Sequence, residues 1–376
     1  MRLPFFPPDL FDSERERLLE TVYTVGTCES QRFILGEHTA HFERALAERL
    51  GADDAIACSS GTSALNLILR ALGVGPGDEV VVPAFGCAPL ASTVVTLGAT
   101  PVFADVDPRL MVVDPSDMER CVTPLTKALM PAHMFSVMAD MPRIRQVAAR
   151  HGLRLVEDSA VAQGGMLDSR PAGMWGEAGV FSFVQVKTFG GPGEGGVVVT
   201  DDARLAADVR MLRNHGQDGV HRFRHHRIGY NSRFDETLAA FQLHRLAGFD
   251  DRLERRARIA DYYGDRFAAL TDRGILAPPR GRNGRCYYVY ALLAEQRDAL
   301  RRHLKGSGVD SHVYYPLVLP RQPAFRGWAP PQRQWPHAEY AASRHLAIPI
   351  YPHLTDAQVE HIADAVCAFT PQRESQ

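Results

Sequence analysis

Nothing in the chain reads as a membrane span, a secretory leader or a disulfide scaffold. No apolar run is long enough to cross a bilayer. The N-terminus, MRLPFFPPDLFDSERER, has no apolar core followed by a small-residue cleavage site, so no secretory signal is expected. The six cysteines, Cys28, Cys58, Cys87, Cys121, Cys286 and Cys367, are scattered without a CxxC pair. That spacing suits neither a disulfide framework nor a zinc site, and they read as reduced thiols of a cytoplasmic protein. An excess of one charge is also missing. The formal net charge is −2, which offers no global positive field for nucleic acid or an anionic membrane. Internal repeats and low-complexity tracts are absent. What remains is an ordinary globular composition, 45% hydrophobic and 23% charged, over 376 residues. That length is enough for two domains and a large buried core.

The first half alternates short β-rich runs with helical stretches. Candidate strands are Glu79–Pro83, Pro101–Asp105, Lys127–Pro131, Leu153–Asp158, Val180–Phe183 and Val197–Thr200. They are short, apolar and β-branched, as strands buried on both faces are. Helices are expected at Thr62–Leu72, Cys87–Leu97 and Met141–His151. This alternation argues for an α/β layer with a mainly parallel sheet. Farther on, a long amphipathic helix is expected from about Phe234 to Leu270, then a strand at Tyr287–Leu293 and a helix at Gln296–Gly306. Pro320–Pro336 reads as an irregular loop and Thr355–Phe369 as a closing helix. The domain boundary is expected near residue 245, dividing a large domain, 1–245, from a smaller one, 246–376.

Four segments carry side chains suited to chemistry. Ser59-Ser60-Gly61-Thr62-Ser63 directly precedes a helix, whose N-terminal N–H groups suit a phosphate; the same residues also make a simple N-cap. Glu157-Asp158 ends a strand, and ligands of open α/β sheets sit beyond the carboxyl ends of strands. A carboxylate there could pair with a protonated pyridine nitrogen, or be only a solvated strand end. Phe181-Ser182-Phe183-Val184-Gln185-Val186-Lys187 delivers one lysine to the glycine-dense loop Gly190–Gly196. Burial and neighbouring cations can make such an amine a Schiff-base donor, whereas a lone loop lysine is ordinarily a surface charge. Gly229-Tyr230-Asn231-Ser232-Arg233 follows the basic run His221–Arg227. That run reads as a solvated loop or as a patch for a phosphorylated substrate. Its histidines show no metal-binding spacing, and no metal is expected.

The order of these segments resembles the sugar-nucleotide aminotransferases of the DegT/StrS group, which are fold type I pyridoxal 5'-phosphate (PLP) enzymes. The likeness is carried by SSGTSALNLILRALGVGPGDEVVVPAF, PVFADVDP, LVEDSAVAQG, FSFVQVKTFGGPGEGGVVVT and RIGYNSRFDETLAAFQLHRL. It runs from FILGEHTAHFERALAERLG at residue 33 to RHLAIPIYPHLTDAQVEHIADAV ending at residue 366. The resemblance implies a large domain with a mainly parallel seven-stranded sheet flanked by helices and a smaller C-terminal α/β domain. It implies that Lys187 is the Schiff-base lysine and proton shuttle, and that Asp158 binds the pyridinium nitrogen. Ser60, Gly61, Thr62 and Ser182 then bind the cofactor phosphate. Asn231 matches a residue that reaches the phosphate of the neighbouring subunit, which implies a homodimer with shared active sites.

Two departures from the family pattern stand out. Gly86-Cys87 stands where an aromatic usually stacks on the cofactor ring, with Phe85 close by. Val161 stands where Gln or His usually touches the cofactor side of the substrate, with Gln163 two residues on. The family's later HY segment is Tyr314-Tyr315. Phe85, Gln163, Arg233, Tyr314 and Tyr315 are the candidate substrate contacts. The expected reaction moves an amino group from an amino acid, Glu or Gln, to a keto-sugar nucleotide. Cys87 and Val161 keep open a keto-cyclitol, another natural-product ketone or a different PLP reaction. A non-catalytic binding or regulatory homologue is a third reading, disfavoured by the presence of Lys187, Asp158 and Ser182.

Overall fold

The alternating runs of the first 200 residues build one sheet in the computed structural model, which describes residues 2–7, 11 and 14–371. Helices α1 (Arg15–Gly26) and α2 (Glu37–Leu50) come first. Then follow β1 (Asp54–Cys58), α3 (Gly61–Ala71), β2 (Glu79–Pro83), α4 (Pro89–Thr96), β3 (Thr100–Ala104), α5 (Pro115–Arg120), β4 (Thr126–Leu129), α6 (Met141–His151) and β5 (Arg154–Asp158). The short pair β6 (Met166–Leu167) and β7 (Arg170–Pro171) precedes β8 (Ala178–Ser182), β9 (Gly196–Thr200) and α7 (Ala203–Arg213). The sheet order is β1-β9-β8-β5-β4-β2-β3. Only β9 opposes its neighbours, so six of the seven strands share one direction. The expected fold class holds. Strands β8 and β9 are buried at every position, which is why their sequences are apolar without alternation.

The remainder is α8 (Glu236–Leu246), α9 (Phe249–Phe267), β10 (Ile275–Leu276), β11 (Tyr290–Ala294), α10 (Arg297–Gly306), α11 (Pro336–Arg344), β12 (His345–Ile348) and α12 (Asp356–Ala368). Strands β10, β11 and β12 form an antiparallel second sheet. Several expectations change. The single helix expected over 234–270 is two, broken at Ala247-Gly248. Glycine inside a helix is unfavourable, and the Arg252 guanidinium donates to the Arg245 carbonyl where the first helix ends. The helix expected from Cys87 starts at Pro89, a residue suited to a first helical turn because it lacks an N–H. The strand expected from Tyr287 starts at Tyr290. Strands β1 and β12 were not expected; their sequences, DAIAC and HLAI, each carry a single β-branched residue. The loop 320–336 holds two 3₁₀ turns, Leu319–Arg321 and Arg326–Trp328.

One connection ties the two sheets together. After β4 the chain makes a tight turn in which Met134 and Val137 exchange backbone hydrogen bonds, both 3.1 Å. Phe135 stands there at φ +55°, in the left-handed region. Ser136 at the tip reaches the second sheet. Its hydroxyl donates to the Val289 carbonyl at 2.8 Å and accepts from the Ala291 N–H at 3.1 Å. Its carbonyl accepts from the Cys286 N–H at 3.0 Å and from Arg285 Nε at 2.8 Å.

Candidate active site

Three segments meet beyond the carboxyl ends of the central strands, where open α/β sheets place ligands. The first is the start of α3. Ser60 is its N-cap, in extended conformation, and its hydroxyl accepts the Ser63 N–H at 3.0 Å. Capping leaves the N–H groups of Gly61 and Thr62, at the positive end of the helix dipole, without an intrahelical acceptor. Neighbouring strands press closely here. A Cβ on Gly61 would lie 2.9 Å from the Ser182 Cβ, and one on Gly196 would lie 2.4 Å from the Ser60 carbonyl carbon. Glycine is required at both positions.

The second segment is the end of β5, where the pleat sends Glu157 and Asp158 to opposite sides. Asp158 faces the cleft. Its Oδ1 accepts the Ala160 N–H at 3.0 Å. Burial raises its pKa above the usual carboxylate value, against the lowering effects of that hydrogen bond, Lys187 and His133. Glu157 is wholly buried on the other side. It accepts from the N–H groups of Gly173 (2.9 Å), Trp175 and Gly176 (3.2 Å), and its carboxylate meets His133 Nε2 at 3.1 Å. Glu157→Gln replaces an acceptor oxygen by a donor against these amides. The expected cost is about 2–3 kcal/mol of stability, read as a lower urea midpoint at unchanged slope.

The third segment is the turn after β8. Ser182 ends the strand, and Lys187 sits five residues on, its N–H donating to the Val184 carbonyl at 2.9 Å. The Lys187 Nζ lies 4.7 Å from the centroid of the Tyr288 ring. Burial lowers its pKa below the usual lysine value, opposed by Cys87, Asp158 and Glu194. A larger share of the amine is therefore neutral near pH 7, the form that attacks a carbonyl. The chain has three lysines, and the other two, Lys127 and Lys305, are exposed.

One cleft of about 210 Å³ gathers Ser60, Gly61, Thr62, Cys87, Asp158, Val161, Ser182, Lys187, Tyr314 and Tyr315. Four expected residues lie elsewhere. Phe85 is wholly buried behind the wall, 5.6 Å from Phe135 and 6.4 Å from Tyr315 between ring centroids. Gln163 is buried beneath Ser182, its Nε2 donating to the Ser182 carbonyl at 2.7 Å. Arg233 reaches Asn214 Oδ1 at 3.4 Å. Asn231 is exposed in a second groove on another side of the α3 start, with Ser63, Tyr230 and Ser232. Within one chain these four side chains stand outside the cleft. Among the lining residues not expected from sequence, three are polar: His133, Glu194 and Tyr288. His133 follows a strand end and Glu194 is the only charge in the glycine loop, so both carried a positional hint. Tyr288 comes from the region of the second sheet and carried none. His221 and His226 share Asp218 Oδ2, at 3.0 and 2.9 Å.

The model of the DegT/DnrJ/EryC1/StrS aminotransferase family matches residues 13–367. The chain belongs to that family. This DegT/DnrJ/EryC1/StrS aminotransferase is 39% identical over 337 residues to the UDP-N-acetyl-3-dehydro-alpha-D-glucosamine 3-aminotransferase of Acidithiobacillus ferrooxidans, covering 89% of each chain. It is 38% identical over 368 residues to the dTDP-3-amino-3,4,6-trideoxy-alpha-D-glucose transaminase of Streptomyces venezuelae, covering 97% of this chain and 95% of the relative. The crystal structure of S. venezuelae DesV in complex with a ketimine intermediate superposes with a TM-score of 0.92 at 37% identity, covering 97% of both chains. The cofactor of this aminotransferase is PLP. The cleft fits it: a helix N-terminus and hydroxyls for a phosphate, a buried carboxylate for a ring nitrogen, and a single partly neutral amine for the aldehyde. No helix among the described residues is long and apolar enough to cross a membrane.

Proposed function

We propose that this aminotransferase transfers an amino group from an amino acid, Glu or Gln, to a keto-sugar nucleotide. The observation that carries the chemistry is Lys187, its pKa depressed by burial, in one cleft with the buried carboxylate of Asp158. The names of the two curated relatives support the acceptor class. Bound PLP supplies an electron sink for the carbanion formed beside the transferred amine. Gly61 and Thr62 N–H groups, with the Thr62 and Ser182 hydroxyls, would hold its phosphate. Asp158 would keep its ring nitrogen protonated, since a charged partner also relieves the cost of the buried carboxylate. Lys187 would hold the aldehyde as a Schiff base at rest and then carry the proton between substrate carbon and cofactor. The Tyr288 ring over Nζ excludes water from one side of that amine.

The working form in this reading is a cytoplasmic homodimer with shared sites, supported by two observations. Asn231 is exposed and outside its own chain's cleft, as a residue acting on a neighbour would be. The cysteines of the described chain are free thiols. The two sheets and the break before α9 support a large domain over 1–245 and a smaller one over 246–376. Cys87 and Val161 on the wall support a second reading, with a keto-cyclitol or other natural-product ketone as acceptor, because a thiol and a valine take less space than the aromatic and the Gln or His of the family pattern. Enzyme loaded with the amino donor should aminate one member of a panel of UDP-, dTDP- and GDP-linked 3-keto and 4-keto hexoses. Free ketones should then react at least about a hundredfold more slowly, because remote binding energy is lost. The opposite ranking would install the second acceptor, and sedimentation velocity on the same sample would read the dimer.

A further inference from the structure

One imidazole outside the cleft touches two of its walls. His345 opens β12 and is wholly buried. Its Nδ1 accepts the Tyr314 N–H at 3.3 Å, which puts the proton of the neutral ring on Nε2. Burial, with Arg297 and His312 nearby, lowers its pKa to about 3, so the ring is neutral at every working pH. Among the described residues Nε2 has no hydrogen-bond partner. The ring packs on Phe135, centroids 4.3 Å apart and planes tilted by 33°, and meets Phe85 edge-on at 6.4 Å. Phe135 and Tyr314 both line the cleft, and His345 does not. They come from widely separated parts of the chain, the turn after β4 and the segment before β12. Phe135 is also held from its other side by the Ser136 contacts to Val289 and Ala291. The wall beside Lys187 is therefore fixed from the second sheet, and His345 touches both of its halves, by a hydrogen bond to Tyr314 and by ring contact with Phe135, where Phe85 meets Phe135 and Tyr315 by ring contact alone.

We propose that His345 is a positioning residue for the keto acceptor: it sets the spacing between Phe135 and the Tyr314-Tyr315 pair, and so the acceptor ring the cleft admits. This rests on the reading of the cleft as the site of an aminotransferase with a keto-sugar acceptor. Two substitutions separate its two contacts. His345→Phe keeps a ring on Phe135 and removes the acceptor, leaving the Tyr314 N–H unpaired. His345→Asn keeps an acceptor near the Nδ1 position and removes most of the ring. With UDP-N-acetyl-3-dehydro-alpha-D-glucosamine as the probe acceptor, His345→Phe should raise KM about tenfold and leave kcat within about twofold, as expected for one lost hydrogen bond in a wall that does no chemistry. His345→Asn should return KM to within about threefold of the parent. The donor half-reaction and the visible absorbance of the holoenzyme should not change in either variant. An unchanged KM in His345→Phe overturns the proposal. So does a joint loss of kcat, absorbance and melting temperature in both variants, which marks a purely structural residue. If the parent enzyme turns over neither this probe nor any other member of the keto-hexose panel, the acceptor reading is what fails. Crystal structures of the variants then decide the positioning role: a shift of about 1 Å between Tyr314 and Phe135 in His345→Phe supports it, and an unmoved wall overturns it.

Discussion

Lys187→Ala should lower turnover by at least about 10³-fold, because one substitution removes both the nucleophile that holds the cofactor and the acid–base group that moves the proton. Steady-state amination with saturating donor measures the loss. Borohydride reduction of the parent holoenzyme, followed by peptide mass analysis, should place the pyridoxyl group on Lys187. Lys127 and Lys305, both exposed, are internal controls in the same digest. Label on either of them, with Lys187 unmodified, would remove Lys187 from the mechanism. The pH dependence has a definite sign. Burial lowers the pKa of Lys187, so its neutral form persists to lower pH than that of an exposed lysine. Activity that needs the neutral amine is lost as pH falls through that lowered value. The acid limb of the profile should therefore lie below the usual lysine range of about 10.4.

Much of this site could be read before any fold was known, and the reason is local. Ser60, Gly61 and Thr62 stand at a helix start, Asp158 at a strand end, and Lys187 in the turn that follows a strand; each position is written in a run of a few neighbouring residues. Phe85 and Gln163 lie behind the wall of their own chain's cleft, because proximity in sequence says nothing of which side a side chain takes. Asn231 is legible as a chemical type and not as a position, since its own chain keeps it out of the cleft. Tyr288 and His345 were invisible for a different reason. Tyr288 comes to the cleft, and His345 to the back of its wall, through pairing between β11 and β12 and through the Ser136 contact to Val289, which join residues far apart in the chain. The composition did hold one clue that motif reading passed over: with three lysines in the whole chain, a lysine in a glycine loop is a less ordinary surface charge than usual.

Asp158→Asn should separate function from stability. Activity should fall by roughly 10²–10³-fold, the usual cost of losing one preorganised electrostatic partner at a reacting group. The cofactor-free protein should become more stable. Burial raises the pKa of Asp158, so its ionised form is disfavoured in the folded state. A carboxyl whose folded pKa is raised subtracts stability as pH rises through that value. The amide carries no charge to desolvate and can still accept the Ala160 N–H. The expected gain for the cofactor-free variant near neutral pH is about 2–4 °C in Tm, shrinking in acid where the parent carboxyl is protonated. Added PLP should then stabilise the parent more than the variant. A variant that melts below the parent without cofactor, or that keeps parental turnover, would show that Asp158 is not the charge partner described.

The Ser136 turn has a consequence for how the protein is made. The last strand of the seven-stranded sheet, β9, ends at Thr200, so the sheet has all its strands long before residues 289–345 are made. The cleft does not. Its Phe135 wall needs Val289 and Ala291 to seat Ser136, and His345 to face the ring. On a ribosome, where domains fold in order of emergence, the lysine and the phosphate turn are therefore present in a nascent chain whose pocket is still open. Cofactor capture in its final geometry waits on the emergence of His345, and a message truncated before it would yield a sheet that cannot close around its own chemistry.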